Sequence, residues 1–359
     1  MSQINWQSLG FDAYRTRTLV TARWKDGKWS DISESEDFAF HLDPFTCVFH
    51  YAFSCFECLK AFTQKDGKIV IFRPFENAHR LQRTAGFLGL PAPSDSMFIE
   101  MCERCVKSNM EFLAPYGHDA SLYLRPLLLG AQPKMQLTPP NEAIFAVMCA
   151  PAGPYYGANM RSFSGVIPLN YDRAAPKGSG SYKVGANYAA TFRPYQIAHE
   201  QGYSELLYLN SKTHEYVDEF GSSNFFGIKG NTYVTPLSDS VLPSITNKSL
   251  QEIAVDLGMK VEKRPVRLEE LSEFEEAGGC GTAVVITPMS HIDVKEVLEE
   301  EAVKTVYRYL PDGEVGPVCA KLYKTITSIQ KGEIEDIHGW CHEIRKSRDK
   351  IMMTAQPPG

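Results

Sequence analysis

The sequence predicts an α+β protein built in two parts. Three observations carry that expectation. β-rich runs folded about Asp-Gly pairs open the chain. Helical periodicities then follow as a block instead of alternating regularly with strands. Near the middle, "AGPYYGANMRSF", rich in Gly, Pro and Tyr, interrupts the pattern. Length agrees, since 359 residues exceed one ordinary core.

Each element has its own signal. "LVTARWKDGKWSDI" reads as a hairpin about Asp26-Gly27, and "FSCFECLKAFTQKDGKIVIFRP" repeats the device about Asp66-Gly67. "NAHRLQRTAGFLGL" and "MFIEMCERCVKSNMEFL" carry helical periodicity. "SLYLRPLLLG" and "EAIFAVMCAP" are apolar runs of strand length. These elements make residues 1–157 a small N-terminal unit. Residues 158–182, which include "RAAPKGSGSYK", are expected to link it to a larger unit at 183–359. There "NYAATFRPYQIAHEQGY" predicts one helix, and "ELLYLN" and "NFFGIKGNTYVTP" predict strands, the latter turning at Gly230-Asn231. "TNKSLQEIAVDLGM" predicts a helix that Gly258 ends. "KVEKRPV" and "GTAVVITPM" are further strands, and "VCAKLYKTITSIQKGEIEDIHGWCHEI" is a closing helix with His338 and His342 on its surface.

Composition narrows the function. Apolar residues make up 43% and charged residues 22%, as in an ordinary globular protein, and the net charge of −6 argues against nucleic acid as a partner. No apolar run approaches a membrane span, and the N-terminus lacks a signal-peptide pattern, so a cytoplasmic location is expected. Nine cysteines, an odd number in a long chain, point to reduced thiols. Two CxxC spacings, Cys55/Cys58 and Cys102/Cys105, suggest zinc on paper. However, an i,i+3 pair in a strand-like run points to opposite faces, and on a helix it merely shares a core face. No metal is expected.

One lysine stands out. "GSGSYKVGANY" surrounds Lys183 with small residues. An arbitrary lysine is a solvated surface charge, and two nucleotide-binding patterns fail here. A P-loop needs Gly before the lysine and Ser or Thr after it, but Tyr182 and Val184 flank Lys183. The dinucleotide fingerprint would need glycine at Lys183 itself. A Schiff-base lysine fits better. Burial or a neighbouring cation lowers the amine's pKa, and small residues let a ring approach. Pyridoxal phosphate would then need three more groups. Glu219 offers a carboxylate for the ring nitrogen, Tyr188 a hydroxyl for the phenolic oxygen, and a helix start at Thr246, with Arg80 upstream, an anion site.

The chain resembles the branched-chain amino acid aminotransferases, class IV pyridoxal phosphate enzymes. The resemblance rests on "VFHYAFSCFECLKAF", "AHRLQRTA", "YLRP" at 123–126, Gly153-Pro154-Tyr155, Lys183 to Tyr188, "LPSIT" and "CGTAVVITP", all in family order. It implies a two-domain, D-amino acid aminotransferase-like, fold-type IV architecture: a small N-terminal α/β domain and a larger β-barrel-like domain with helices. It also implies pyridoxal 5'-phosphate, a homodimer, and ping-pong transamination of leucine, isoleucine and valine with 2-oxoglutarate. Lys183 would be the Schiff-base lysine, Glu219 the pyridinium partner and Tyr188 the bonder of the phenolic oxygen. Arg80 with Ile245, Thr246 and Thr282 would hold phosphate. Tyr51, Tyr123, Arg125 and the amides near Thr282 and Ala283 would meet the substrate carboxylate. Phe56, Tyr155 and the segment about Leu137, the last from a second subunit, would wall an apolar pocket. Sister activities remain alternatives (D-amino acid transamination, aminodeoxychorismate lysis), as does cofactor binding without turnover. This chain departs from the family's residues at Cys58, Ala186, Phe220 and Ser244, each expected to crowd the cofactor or pocket. It also has Val284 and Thr287 where mammalian members carry a redox CxxC.

Overall fold

The computed structural model describes residues 4–155 and 160–344. It contains two sheets. The first has nine strands, all antiparallel where they pair. Its central pair is Ser121–Gly130 against Ala143–Ala152, in register over ten residues from Ser121↔Ala152 to Gly130↔Ala143. Both expected hairpins are present: Leu19–Lys25 turns into Lys28–Trp29, and Leu59–Thr63 into Ile69–Phe72. The helices Pro74–Leu88 and Asp95–Lys107 lay apolar faces on this sheet, joining Leu81, Ala85, Phe98 and Met101 to Val20, Leu122 and Phe145 in one core.

The second sheet has ten strands and closes on itself. Asn224–Lys229, Glu276–Gly281, Val285–Lys295, Phe163–Pro168, Glu205–Leu209 and Tyr216–Phe220 follow one another around the ring. Tyr216–Phe220 then pairs back on Asn224–Lys229 through Glu219↔Asn224, which shuts the barrel. Closure removes free edges at that point and fixes these two side chains beside each other. The helix Ile245–Asp256 packs outside the ring. Ser244 caps its N-terminus, its hydroxyl accepting from Asn247 N at 3.2 Å, and Gly258, at φ +78°, follows its end as expected. Phe62, Val70 and Phe72 of the first sheet share a core with Leu250, Ile253 and Ile326 of the second unit, so the two sheets are packed together.

Three expectations are corrected. The helix predicted over 187–203 is two, Gly185–Ala189 and Phe192–Glu200. Pro194 explains the break, because its ring would collide with the carbonyl four residues earlier if the first helix continued. The closing helix spans only Pro317–Gln330. There Gly332, at φ +66°, donates to Ile329 O while Glu333 N donates to Ser328 O, a Schellman ending. His338 therefore lies in a turn and His342 on the strand Cys341–Glu343, which returns to pair with Ile69–Phe72. Residues 158–182, expected as a link, contain Phe163–Pro168, a full member of the barrel. The expected boundary at 157 lies outside the described residues.

The CxxC residues are all buried. Cys55 belongs to the first core and Cys58 to a separate cluster with Tyr123, as opposite faces require; Cys102 and Cys105 are both buried in the first core. No helix among the described residues is long and apolar enough to cross a membrane.

Candidate active site

A cavity of about 540 Å³ lies where the first sheet meets the barrel, within the usual size of a small-molecule site. Phe56 and Arg80 reach it from the first unit; Lys183, Tyr188 and Glu219 reach it from the second. Lys183 precedes the short helix Gly185–Ala189 and is pinned at its backbone. Its N–H donates to Thr84 Oγ1 (3.2 Å), and its carbonyl accepts from Phe56 N (3.2 Å). The amine is buried. Lys183 Nζ donates to Tyr188 Oη at 2.7 Å and lies 4.8 Å from the Phe56 ring centroid. Burial pushes this amine's pKa down, but Tyr188, Cys58 and Glu57 outweigh it, and the net direction is upward. The lowering expected from burial alone is thus outweighed by the acidic groups around the amine.

Glu219 sits on the barrel's closing strand. Oε1 pairs with Arg173 Nη2 at 2.7 Å and accepts from Leu242 N at 3.0 Å; Oε2 accepts from Asn224 Nδ2 at 2.6 Å. Burial raises its pKa to about 7, against the lowering pull of Arg173. Strand alternation sends the next residue, Phe220, into the barrel core against Phe225. That replacement therefore fills the core as well as bordering the cavity.

Arg80 is already engaged. Nε and Nη2 form a fork on Glu57 at 2.8 and 2.7 Å, and Nη1 donates to Pro243 O at 2.9 Å. One hydrogen remains on each terminal nitrogen for an anion. Next to it, Ile245 and Thr246 open the 245–256 helix and, with Thr282, line a void of about 20 Å³ that adjoins the cavity. The helix's free N-terminal amides make this end favourable for a phosphate.

Thr282 and Ala283 form the turn between Glu276–Gly281 and Val285–Lys295. Val285 holds φ +63°, a strained value for a β-branched residue. Lys60, buried on the first sheet, donates to Ala283 O at 3.0 Å and ties this turn across the interface. Burial lowers its pKa to about 8, with Asp119 opposing and Lys331 assisting. Arg125 stacks on Phe56 (4.8 Å) and Tyr123 (5.4 Å), and its Nη2 donates to Tyr123 Oη at 3.4 Å. Among the described residues no carboxylate pairs with it. Tyr155 lines the same end, and the Phe11 ring packs edge-on to it (5.2 Å) and to Tyr123 (4.8 Å).

Two expected residues reach neither this cavity nor the void beside it. Tyr51 is 37% exposed, with its hydroxyl donating to Met135 O at 2.7 Å, and Leu137 is 80% exposed. Ala186 is exposed as well, so its methyl group crowds nothing; Ser244 serves as a helix cap. Sequence reasoning missed Glu57, Arg173, Lys60 and Phe11. The first three act through long-range partners, which leave no local signal. Phe11 lies on an irregular segment. Its segment packs so closely that a Cβ on Gly153 would meet Leu9 O at 2.0 Å, a contact that only the fold creates.

Similarity decides the family. The profile described as "Amino-transferase class IV" matches residues 54–292. A branched-chain-amino-acid aminotransferase of Haemophilus influenzae is 42% identical over 354 residues, covering 96% of this chain and all of that one. The chain belongs to the class IV aminotransferases, within their branched-chain group. Its fold is the same as that of the Escherichia coli branched-chain amino acid aminotransferase, at TM-score 0.74 and 25% identity over 90% of this chain and 99% of that one. The holo structure from Thermobaculum terrenum, described as the PLP form of a branched-chain amino acid aminotransferase, also superposes at TM-score 0.74. It is 19% identical over 93% of this chain and 100% of that one, a likeness of fold.

Proposed function

We propose that this class IV aminotransferase moves the amino group of leucine, isoleucine or valine to 2-oxoglutarate, using pyridoxal 5'-phosphate. The observation that carries the reading is the buried Lys183 amine bonded to Tyr188, with Glu219 held in the same cavity by the barrel's closing pair. This donor set fits the cofactor. An amine, a phenol and a buried carboxylate converge, and a capped helix N-terminus stands beside a partly free guanidinium. When bound, pyridoxal phosphate supplies an electron sink for the negative charge left by loss of an α-proton.

The chain's own groups would do the rest. Lys183 would hold the cofactor and, once released from it, carry a proton at Nζ. Tyr188 would orient that nitrogen. Glu219 would keep the ring nitrogen protonated, with Arg173 keeping Glu219 ionised. Arg80 and the amides of Ile245, Thr246 and Thr282 would bind phosphate. The Thr282–Ala283 turn, held by Lys60, would take the substrate's α-carboxylate, and Arg125 beside Tyr123 would meet the second carboxylate of glutamate or 2-oxoglutarate. Phe56 and Tyr155 would wall the apolar end.

A homodimer completes the reading. The loop and helix at Phe45–Tyr51 are joined to residues 133–137 by Lys134 N to Phe45 O (3.0 Å) and by the Tyr51–Met135 bond. Together they expose Phe45, Phe49, Met135 and Leu137. Such an apolar patch suits a subunit interface, and Tyr51 and Leu137 would then reach a second copy's cavity. The division into 1–157 and 183–359 is kept as a domain proposal, with the Phe163–Pro168 strand of the intervening segment counted with the barrel. A cytoplasmic location accords with nine cysteines that form no disulfide.

The test is borohydride reduction of the yellow holoenzyme followed by peptide mapping. Label is expected on Lys183, and Lys183→Ala should abolish leucine–2-oxoglutarate turnover. Label on another lysine overturns the assignment.

A further inference from the structure

Cys58 stands where the family resemblance places glycine, and its surroundings give that difference a consequence. Its backbone is clamped on both sides. Cys58 N donates to Glu57 Oε2 at 3.3 Å, and its carbonyl accepts from Asn77 Nδ2 at 3.0 Å. Asn77 and Glu57 are themselves buried and joined at 2.8 Å. The main chain therefore cannot retreat to make room for a side chain, and the thiol must project into whatever space lies in front of it. That space is the cavity. Cys58 borders both the 540 Å³ cavity and the 20 Å³ void beside it. Its side chain is buried in a small cluster with Tyr123 and Ala152, flanked by Phe11 and Phe56. Cys58 and Tyr123 are both buried in this cluster, so the sulfur lies against the aromatic wall.

We infer that Cys58 is a specificity-determining residue: its side chain takes up volume at the apolar end and limits the size of substrate side chain admitted. The physical argument is steric. Interiors near a clamped backbone do not relax to absorb an added group, so one sulfur's volume is removed from the ligand's share. Discrimination by fit in an apolar pocket runs from about tenfold upward per methylene-sized volume. The inference rests on reading the cavity as the substrate pocket, but its test does not require turnover.

The experiment compares calorimetric binding of two saturated acids, 4-methylvaleric and 3-phenylpropanoic, to the cofactor-loaded enzyme. In Cys58→Gly the ratio of the aromatic acid's Kd to the branched acid's Kd should fall about tenfold. Cys58→Ala should move it part of the way, without the added backbone freedom of glycine. Cys58→Ser, of nearly the same bulk, should leave it within about twofold of wild type. An unchanged ratio in both Cys58→Gly and Cys58→Ala overturns the inference. So does a Cys58→Ser shift as large as that of Cys58→Gly, because bulk would then not be the cause. The leucine half-reaction, followed separately by the cofactor's absorbance, tests the transaminase reading. A shifted binding ratio without that half-reaction sustains the steric role and overturns only the activity.

Discussion

Arg80 with Glu57, on the first-sheet side of the cavity, and Arg173 with Glu219, on the barrel side, are both arginine–glutamate pairs withdrawn from water. Their satisfaction differs. Glu57 is fully buried, and both its oxygens are used, by Arg80's fork, by Asn77 and by Cys58 N. Around Glu219 the accounting is incomplete: Arg173 Nε, Asn224 Oδ1 and Asp218 Oδ1 are buried without hydrogen-bond partners. Glu219 correspondingly has its pKa raised to about 7 by burial, which Arg173 only partly offsets. Both Glu219 oxygens are bonded too, so the difference lies in the neighbours: a saturated surrounding fixes geometry, whereas orphaned polar atoms around a carboxyl whose pKa is raised to about 7 leave its ionisation responsive to a new neighbour such as a ring nitrogen. In the proposed function the first pair would aim a guanidinium at the phosphate, and the second would tune charge at the ring nitrogen.

The sharpest way to break this comparison is to remove one glutamate. Glu57→Ala strands Arg80 in a buried site, and losing one partner of a buried pair costs about 3–5 kcal/mol. Arginine does not titrate in the working range, so the loss should be similar at pH 5.5 and pH 8. Cofactor affinity should fall with it. Denaturant unfolding at both pH values checks this. A loss under 1 kcal/mol would mean that Arg80 finds another partner and that the fork is not what aims it.

Arg173→Met should behave differently. Because burial raises the folded pKa of Glu219 above its ordinary value, the folded chain holds a proton that the unfolded chain releases. Stability from this source is full below the ordinary carboxylate range and is lost as pH rises to about 7. Arg173 opposes that loss by favouring the ionised form. Its removal should therefore destabilise the cofactor-free chain more at pH 8 than at pH 5.5, by about 1–3 kcal/mol, the worth of a hydrogen bond to a charged group. The bonds from Arg173 to Gly180 O and Ser240 O vanish at both pH values and cancel in the comparison. Equal losses at the two pH values would show that Glu219 and Arg173 are not coupled.

These pairs also mark what the sequence could not tell. Lys183 and Tyr188 were legible because five residues and one short helix bring them together. The hairpins at Asp26-Gly27 and Asp66-Gly67 and the cap at Gly258 were legible because local chemistry dictates them. Glu57 and Arg173 were not, since each finds its partner only when separate elements pack. Glu219 and Asn224 are only five residues apart, but that this short contact shuts a ring depends on the pairing of all the other barrel strands, which local sequence does not show. Tyr51 was read into the site from resemblance, yet in its own chain it bonds Met135 instead.

The smallest expected effect concerns a third arginine, which has no glutamate at all. Arg125 rests on Phe56 and Tyr123, with its Nη2 on the Tyr123 hydroxyl, and among the described residues no carboxylate neutralises it. A cation held over aromatic faces with its anion missing is suited to receive one from a ligand. Leucine brings only its α-carboxylate, which the Thr282–Ala283 turn can take. Glutamate and 2-oxoglutarate bring a second carboxylate that the apolar wall of Phe56, Tyr155 and Phe11 would otherwise repel. Arg125→Met keeps bulk and loses charge. It should reduce kcat/KM for glutamate and 2-oxoglutarate about tenfold or more, roughly one charged hydrogen bond, and reduce that for leucine by less than threefold. Equal losses for both classes would place Arg125 on the shared α-carboxylate. In that case the second carboxylate of glutamate would have to be met by a group from elsewhere, and the contrast between two paired arginines and one waiting for its anion would fail at this position.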